Sequence, residues 1–302
     1  MVERRPLLAL IIATCAVSFA AILIRISDAH AFTIAFWRLL FATIIMLGIG
    51  ITLGETEDLR NIRIDRDLGL LIISGFFLAI HFASWNLSLE YTSVAASVTI
   101  VDSSPLIVVL LSSVILRESI SRTQALGILF AIIGAVIIGV VDSAGKETLF
   151  GDLLAFIGAA AVAVYLIIGR KARSKLSTFS YVVVVYGICA TFLLLACLAL
   201  DIEILVSQTS EYVLFLLLAL GPSCLGHSLY NYALGHVRAP VVSTVTLGEA
   251  IGSTILAILI LQEIPGGSIS MFLIFIIGAV VLLAGVIVTL EPWKENSTSN
   301  QY

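Results

Sequence analysis

Apolar runs of about twenty residues, separated by short polar or charged breaks, recur ten times along the chain. A run of that length spans the hydrocarbon layer of a bilayer as a helix, where each backbone N–H and C=O finds its partner within the segment. The runs fall at about 7–24, 32–53, 69–89, 93–116, 123–141, 152–169, 178–200, 212–235, 240–261 and 270–290. Their connections are short except for the charged stretch Glu55 to Asp67, and the polar segment 293–302 reads as a disordered cytoplasmic tail. The pattern predicts an all-α integral membrane protein of ten transmembrane helices.

Arginine and lysine set the direction of these spans. With the N-terminus inside, thirteen of the sixteen basic residues fall on the cytoplasmic side, only Arg25 and Lys146 fall outside, and Arg38 lies within the second span. A miscounted helix would invert every later loop and destroy the bias. Both termini are therefore expected in the cytoplasm. The first run follows Arg4 and Arg5 but shows no clear processing site, so it reads as a retained helix rather than a cleaved signal.

Composition narrows the class further. The chain is 60% hydrophobic and 12% charged, with a mean hydropathy of +1.14, whereas soluble domains carry about 25% charged residues. This excludes a soluble enzyme, a secreted disulfide scaffold and a nucleic-acid reader, and a net charge of −4 gives no case for a polyanionic partner. Cys15, Cys189, Cys197 and Cys224 lie in apolar runs without metal-ligand spacing, which predicts packed thiols and no metal or cofactor. An intramembrane enzyme lacks its nucleophile and zinc motifs here, and a nucleotide-driven pump lacks its P-loop.

The chain also repeats itself. Displaced by 145 residues, Trp85-Asn86-Leu87-Ser88-Leu89 falls on Tyr230-Asn231-Tyr232-Ala233-Leu234, Leu116-Arg117-Glu118 on Leu261-Gln262-Glu263, and Arg25 on Arg170. After a one-residue slip Gly134-Ala135-Val136 meets Gly278-Ala279-Val280. Residues 1–145 and 146–292 thus form two five-helix repeats, and an odd number of spans inserts the second upside down. Inverted repeats of this kind build alternating-access transporters, with the substrate between the repeats near mid-membrane.

The paired Leu-x-Glu helix ends at Glu118 and Glu263, together with Phe36-Trp37-Arg38-Leu39-Leu40-Phe41-Ala42, resemble the EamA family of the drug/metabolite transporter superfamily. The resemblance runs from about Leu7 to Leu290. It implies a ten-helix fold with a central cavity lined by the first, third and fourth helices of each half, and transport of amino acids, other small metabolites or drugs, often outward. The second half has no counterpart of Arg38, so any role of that arginine is not symmetric. Glu118 and Glu263 read as helix-end contacts outside the transport site.

Charged side chains inside a span are costly, so their presence points to a partner or a task. Arg38, His81, Asp102, His227 and Glu249 are the ionisable residues well inside spans. Counted at 1.5 Å per residue, Asp102 and His81 lie toward the outer face, while Glu249 and His227 lie toward the inner one. They are expected as two His–carboxylate sets that bind a cationic group or exchange protons. The structural alternative pairs Asp102 with Arg38 and holds Glu249 neutral by hydrogen bonds.

Trp85 and Tyr230 share the helical faces of His81 and His227, where they line the cavity or belong to an interfacial aromatic belt. Asn86 and Asn231 suit hydrogen bonds between helices, and Tyr165 is a further lining candidate. Pro105, Pro222 and Gly248 mark breaks where spans can bend beside the site. The sequence thus predicts a secondary transporter in the cell membrane, exporting small organic metabolites with protons as a coupling ion, as a monomer or homodimer. An uncoupled facilitator or channel-like protein is the alternative.

Overall fold

The computed structural model describes residues 4–55, 57, 59, 67–117, 120–142, 149–262 and 269–299. Among them every element is helical and none is a strand. The helices are α1 (Arg5–Ile26), α2 (Ala31–Leu53), α3 (Asp67–Tyr91), α4 (Val94–Leu116), α5 (Arg122–Asp142), α6 (Leu149–Ala172), α7 (Thr178–Ala199), α8 (Thr209–Leu234), α9 (Ala239–Leu261) and α10 (Ile269–Ser299). Nine of these are long and apolar enough to cross a membrane among the described residues; the apolar part of α5 is shorter, Arg122–Ile137. Glu118 and Glu263 lie outside the described residues.

Local chemistry sets the helix ends. His30, Ser93 and Ser177 accept from backbone N–H groups in the first turns of α2, α4 and α7, satisfying donors that a helix start leaves open. Ser121 and Gln124 form a reciprocal cap at the start of α5: the Gln124 amide donates to Ser121 Oγ at 3.1 Å and the Ser121 amide to Gln124 Oε1 at 3.2 Å. At the other extreme α10 continues to Ser299. The backbone of 293–299 is therefore helical where the sequence pattern predicts disorder. Polarity marks that segment as leaving the apolar layer, but it does not stop a helix from continuing.

The two ends of the repeat share local geometry. Arg25 Nη1 donates to the Leu89 carbonyl at 2.6 Å, and Arg170 Nη1 donates to the Leu234 carbonyl at 2.7 Å. Both α4 and α9 widen into a π turn, at Ser112–Leu116 and Ala257–Leu261. Each then stops at a residue with left-handed backbone, Arg117 at φ 56° and Gln262 at φ 58°. Equivalent sequence has folded into equivalent detail.

Packing brings equivalent helices together as α2 on α7, α4 on α9 and α5 on α10, while α3 lies on α6 and α8 on α1. In the α5–α10 pair Gly134 faces Gly278 and Gly127 faces Gly285, so the two helices run antiparallel. A β-carbon at Gly134 would stand 2.3 Å from the Leu282 backbone nitrogen. Helices so close gain van der Waals contact that lipid chains cannot replace. Large apolar side chains such as Ile11, Leu110, Leu259 and Ile277 point outward, and Ser, Thr and Asn side chains collect inside. That arrangement suits a hydrocarbon solvent.

Candidate functional site

One cavity lies among α1, α3, α4, α6, α8 and α9, with about 510 Å³ of empty space counted out to its open mouth. These are the first, third and fourth helices of each half. His81 and Trp85 come from α3, Asp102 and Ser104 from α4, His227 and Tyr230 from α8, and Thr246 and Glu249 from α9. Six of the eight predicted side chains therefore share one space.

Helix breaks place the two carboxyl groups. The first part of α4 ends at Val101, Asp102 caps it, and a second part starts at Ser104 with Pro105 in its first turn. Proline fits there because a first-turn amide needs no intrahelical partner. In α9 the break falls at Leu247, between Ala239–Thr246 and Gly248–Leu256. Glu249 then occupies the first turn of the second part, where the helix dipole favours negative charge. The paired breaks bring Asp102 and Glu249 into a common wall of the cavity.

Small residues let α1 pack closely against α8 and α9. A β-carbon at Gly252 would sit 2.1 Å from Ser18 Oγ, one at Gly248 2.9 Å from Thr14 Cγ2, and one at Gly226 2.4 Å from Val17 Cγ1. Gly248 thus serves close approach as well as the break, and Pro222 lies within a π-helical stretch of α8, Ala219–His227. Thr14 Oγ1 and the Tyr230 hydroxyl are 2.9 Å apart, which orients the ring.

Aromatic and imidazole rings form a continuous wall. His81 stacks on Trp85 with centroids 5.9 Å apart and an interplanar angle of 10°. His81 and His227 are 6.1 Å apart, and His227 meets Tyr230 edge-on at 6.3 Å. His81 Nδ1 lies 3.1 Å from the Gly158 carbonyl, so Nδ1 carries the proton and donates, and Nε2 is the nitrogen available to a ligand. Trp85 Nε1 and Asp102 Oδ2 are buried without a hydrogen-bond partner among the described residues. Trp85 and Asp102 thus each bring one unmet polar atom to residues of the cavity lining, and buried polar groups left unmet are costly.

Three expectations need correction. His81, Asp102, His227 and Glu249 line one shared cavity instead of two separate sites. Depth counted along each helix separately does not register that helices of both halves turn these four side chains into one cavity. Arg38 does not pair with Asp102: its Nε donates to Ser223 Oγ at 2.7 Å, and it lies outside the cavity lining. Tyr165 also lies outside the lining, buried against Tyr181 and bonded to Asn231. It faces the α7–α8 side of its helix, while Val162 and Leu166 on α6 face the cavity.

Sequence reading missed Val17, Ala20, Val101, Ser104, Val162, Leu166 and Thr246. The apolar members carry no signal that separates them from lipid-facing positions. Ser104 does carry one: it precedes Glu249 by the repeat distance of 145 residues, so the repeat marks it. Trp85 and Tyr230 are cavity residues by geometry, 3% and 4% exposed. An interfacial belt would have left them at the lipid boundary.

Comparison with known proteins gives two matches to the EamA-like transporter family model, at residues 5–140 and 149–285. An "Uncharacterized transporter YyaM" of Bacillus subtilis is 31% identical over 161 residues, covering 50% of this chain and 51% of that protein, so the chain spans about half the length of that relative. An uncharacterized transporter of Archaeoglobus fulgidus is 26% identical over 288 residues, covering 94% of this chain and 96% of its own length. A crystal structure of another protein, 18% identical, superposes with a TM-score of 0.74 over 94% of this chain and 95% of that one. That likeness concerns the fold alone.

Proposed function

The chain belongs to the EamA-like transporter family, a family of multi-pass membrane proteins, and from that premise we propose that it is a secondary carrier exporting small organic metabolites by alternating access. The observation that carries this reading is the shared cavity in which Asp102, Glu249, His81 and His227 meet the aromatic rings of Trp85 and Tyr230. Carboxyl groups in such a space bind an ammonium group or exchange a proton, and flat rings cover an organic body.

Residues 1–145 and 146–292 act as two inverted halves that rock about this cavity. The antiparallel α5–α10 pair and the matched Arg25 and Arg170 bonds support that division. The bias of basic residues supports ten spans with both ends cytoplasmic. Amino acids and related amines suit the cavity's mixture of acid, imidazole and ring. Proton coupling runs through Asp102 and Glu249.

Proteoliposomes offered a panel of amino acids and small organic cations, with and without a pH gradient, test this reading. Uptake above protein-free vesicles, accelerated by the gradient, is the expected result. Val162→Trp places an indole in the cavity and is expected to lower that uptake about tenfold or more, measured at matched protein content. Full uptake through the Val162→Trp variant would put the pathway elsewhere. Uptake indifferent to the gradient would leave an uncoupled facilitator.

A further inference from the structure

A buried guanidinium demands compensation. Arg38 is 0% exposed, and of its nitrogens only Nε is bonded, to Ser223 Oγ at 2.7 Å. Among the described residues Nη1 and Nη2 have no hydrogen-bond partner. Arg38 makes no ion pair among the described residues. Its guanidinium carbon lies 4.3 Å from the centre of the Phe82 ring, which offers a cation the negative face of its π system. One serine and one ring do not replace the water that five N–H donors have lost.

The cavity carboxyl groups lie beyond that ring. Phe82 meets His227 edge-on at 5.1 Å, and His227 shares the cavity with Glu249. Arg38 is within electrostatic reach of Glu249, His81 and His227. The second half holds Val183 at the position equivalent to Arg38. The carrier thus has one such cation near two cavity carboxyl groups, with the Phe82 ring between it and the cavity lining.

We propose that Arg38 is a tethered counter-ion for Glu249. In the conformation described it is parked under Phe82 and Ser223, which leaves Glu249 open to a cationic substrate or a proton. When the empty carrier turns over, Arg38 swings past Phe82 and pairs with Glu249, so Glu249 crosses with its charge compensated. The substrate and the arginine then occupy the carboxylate alternately. Arg38 is a positioning residue in this scheme: it acts on Glu249 and not on the substrate.

The inference rests on the carrier reading above, and it separates two transport modes. Exchange of substrate for substrate never requires the empty carrier to return, whereas net flux does. In proteoliposomes with labelled substrate, Arg38→Gln is expected to raise the ratio of exchange to net flux about tenfold, because a charged cavity residue left without its partner slows the empty return. Arg38→Lys keeps the charge and is expected to recover most of the original ratio. Phe82→Ala removes the ring that keeps Arg38 parked and is expected to raise the KM for a cationic substrate several-fold.

Parallel loss of exchange and net flux in Arg38→Gln would reduce Arg38 to a packing role and overturn the proposal. A ratio equal to that of the unaltered carrier would overturn it as well. Should Arg38→Gln fail to reconstitute, Phe82→Ala decides, and an unchanged KM in that variant refutes the proposal. Unaltered protein that moves substrate in neither mode would instead refute the carrier reading, and this inference would fall with it.

Discussion

Glu249→Gln is expected to abolish the acceleration of uptake by a pH gradient and to lower uptake of cationic substrates by about tenfold or more. Glutamine keeps the shape and hydrogen-bonding reach of the side chain but neither ionises nor releases a proton. Glu249 is 8% exposed, lies in the first turn of a helix segment, and shares its cavity with Asp102, His81 and His227. At so buried a position a charge pair lost from one side leaves the other unmet. Transport assays on reconstituted protein at matched incorporation measure the effect. Uptake and gradient dependence equal to those of the unaltered carrier would make Glu249 a structural residue.

The second large effect concerns stability. Gly134→Val is expected to destabilise the protein by about 3 kcal/mol or more, the upper range of overpacking effects. Its β-carbon would meet the Leu282 backbone nitrogen at 2.3 Å and the Gly278 carbonyl at 2.6 Å. Backbone cannot turn aside as a flexible side chain does, so α5 and α10 would have to separate. Gly48→Val is the control, since nothing stands within 4 Å of its β-carbon position. Such an open site is expected to change stability by no more than about 0.5 kcal/mol. Thermal unfolding in detergent compares the two, and equal melting temperatures would contradict the close α5–α10 packing.

Much of this arrangement can be read from residues alone, and the reasons are specific. Apolar runs of bilayer length locate the helices, because lipid leaves the backbone few other solutions. The repeat distance that aligns Arg25 with Arg170 anticipates two hydrogen bonds of the same kind, to Leu89 and Leu234. Charged residues within apolar runs identify Asp102, Glu249, His81 and His227, since hydrocarbon penalises them wherever they have no task.

Other features depend on tertiary geometry that spacing does not encode. The breaks at Asp102 and Leu247 set the two carboxyl groups, and with His81 of α3 and His227 of α8 they line one cavity, where a straight-helix count divides the four into two sets. Tyr165 is a plausible lining residue by type, yet its helix turns it toward Asn231 and Tyr181. Arg38 shows the same limit: an arginine and an aspartate at similar depth need not face each other, and here α8 supplies Ser223 instead. Val162 and Leu166 look like any lipid-facing pair until the neighbouring helices are in place.

Alternating access through the cavity is tested most directly by thiol labelling from each face of the membrane. Cys15, Cys189, Cys197 and Cys224 are free thiols, and their replacement provides a background in which Ser104→Cys places a single thiol in the cavity wall. Sealed vesicles of known orientation are then treated with a membrane-impermeant maleimide from outside or inside. Labelling from both faces, with the balance shifted by transported substrate, is the expected result. Labelling confined to one face, indifferent to substrate in actively transporting vesicles, would contradict alternating access at this site.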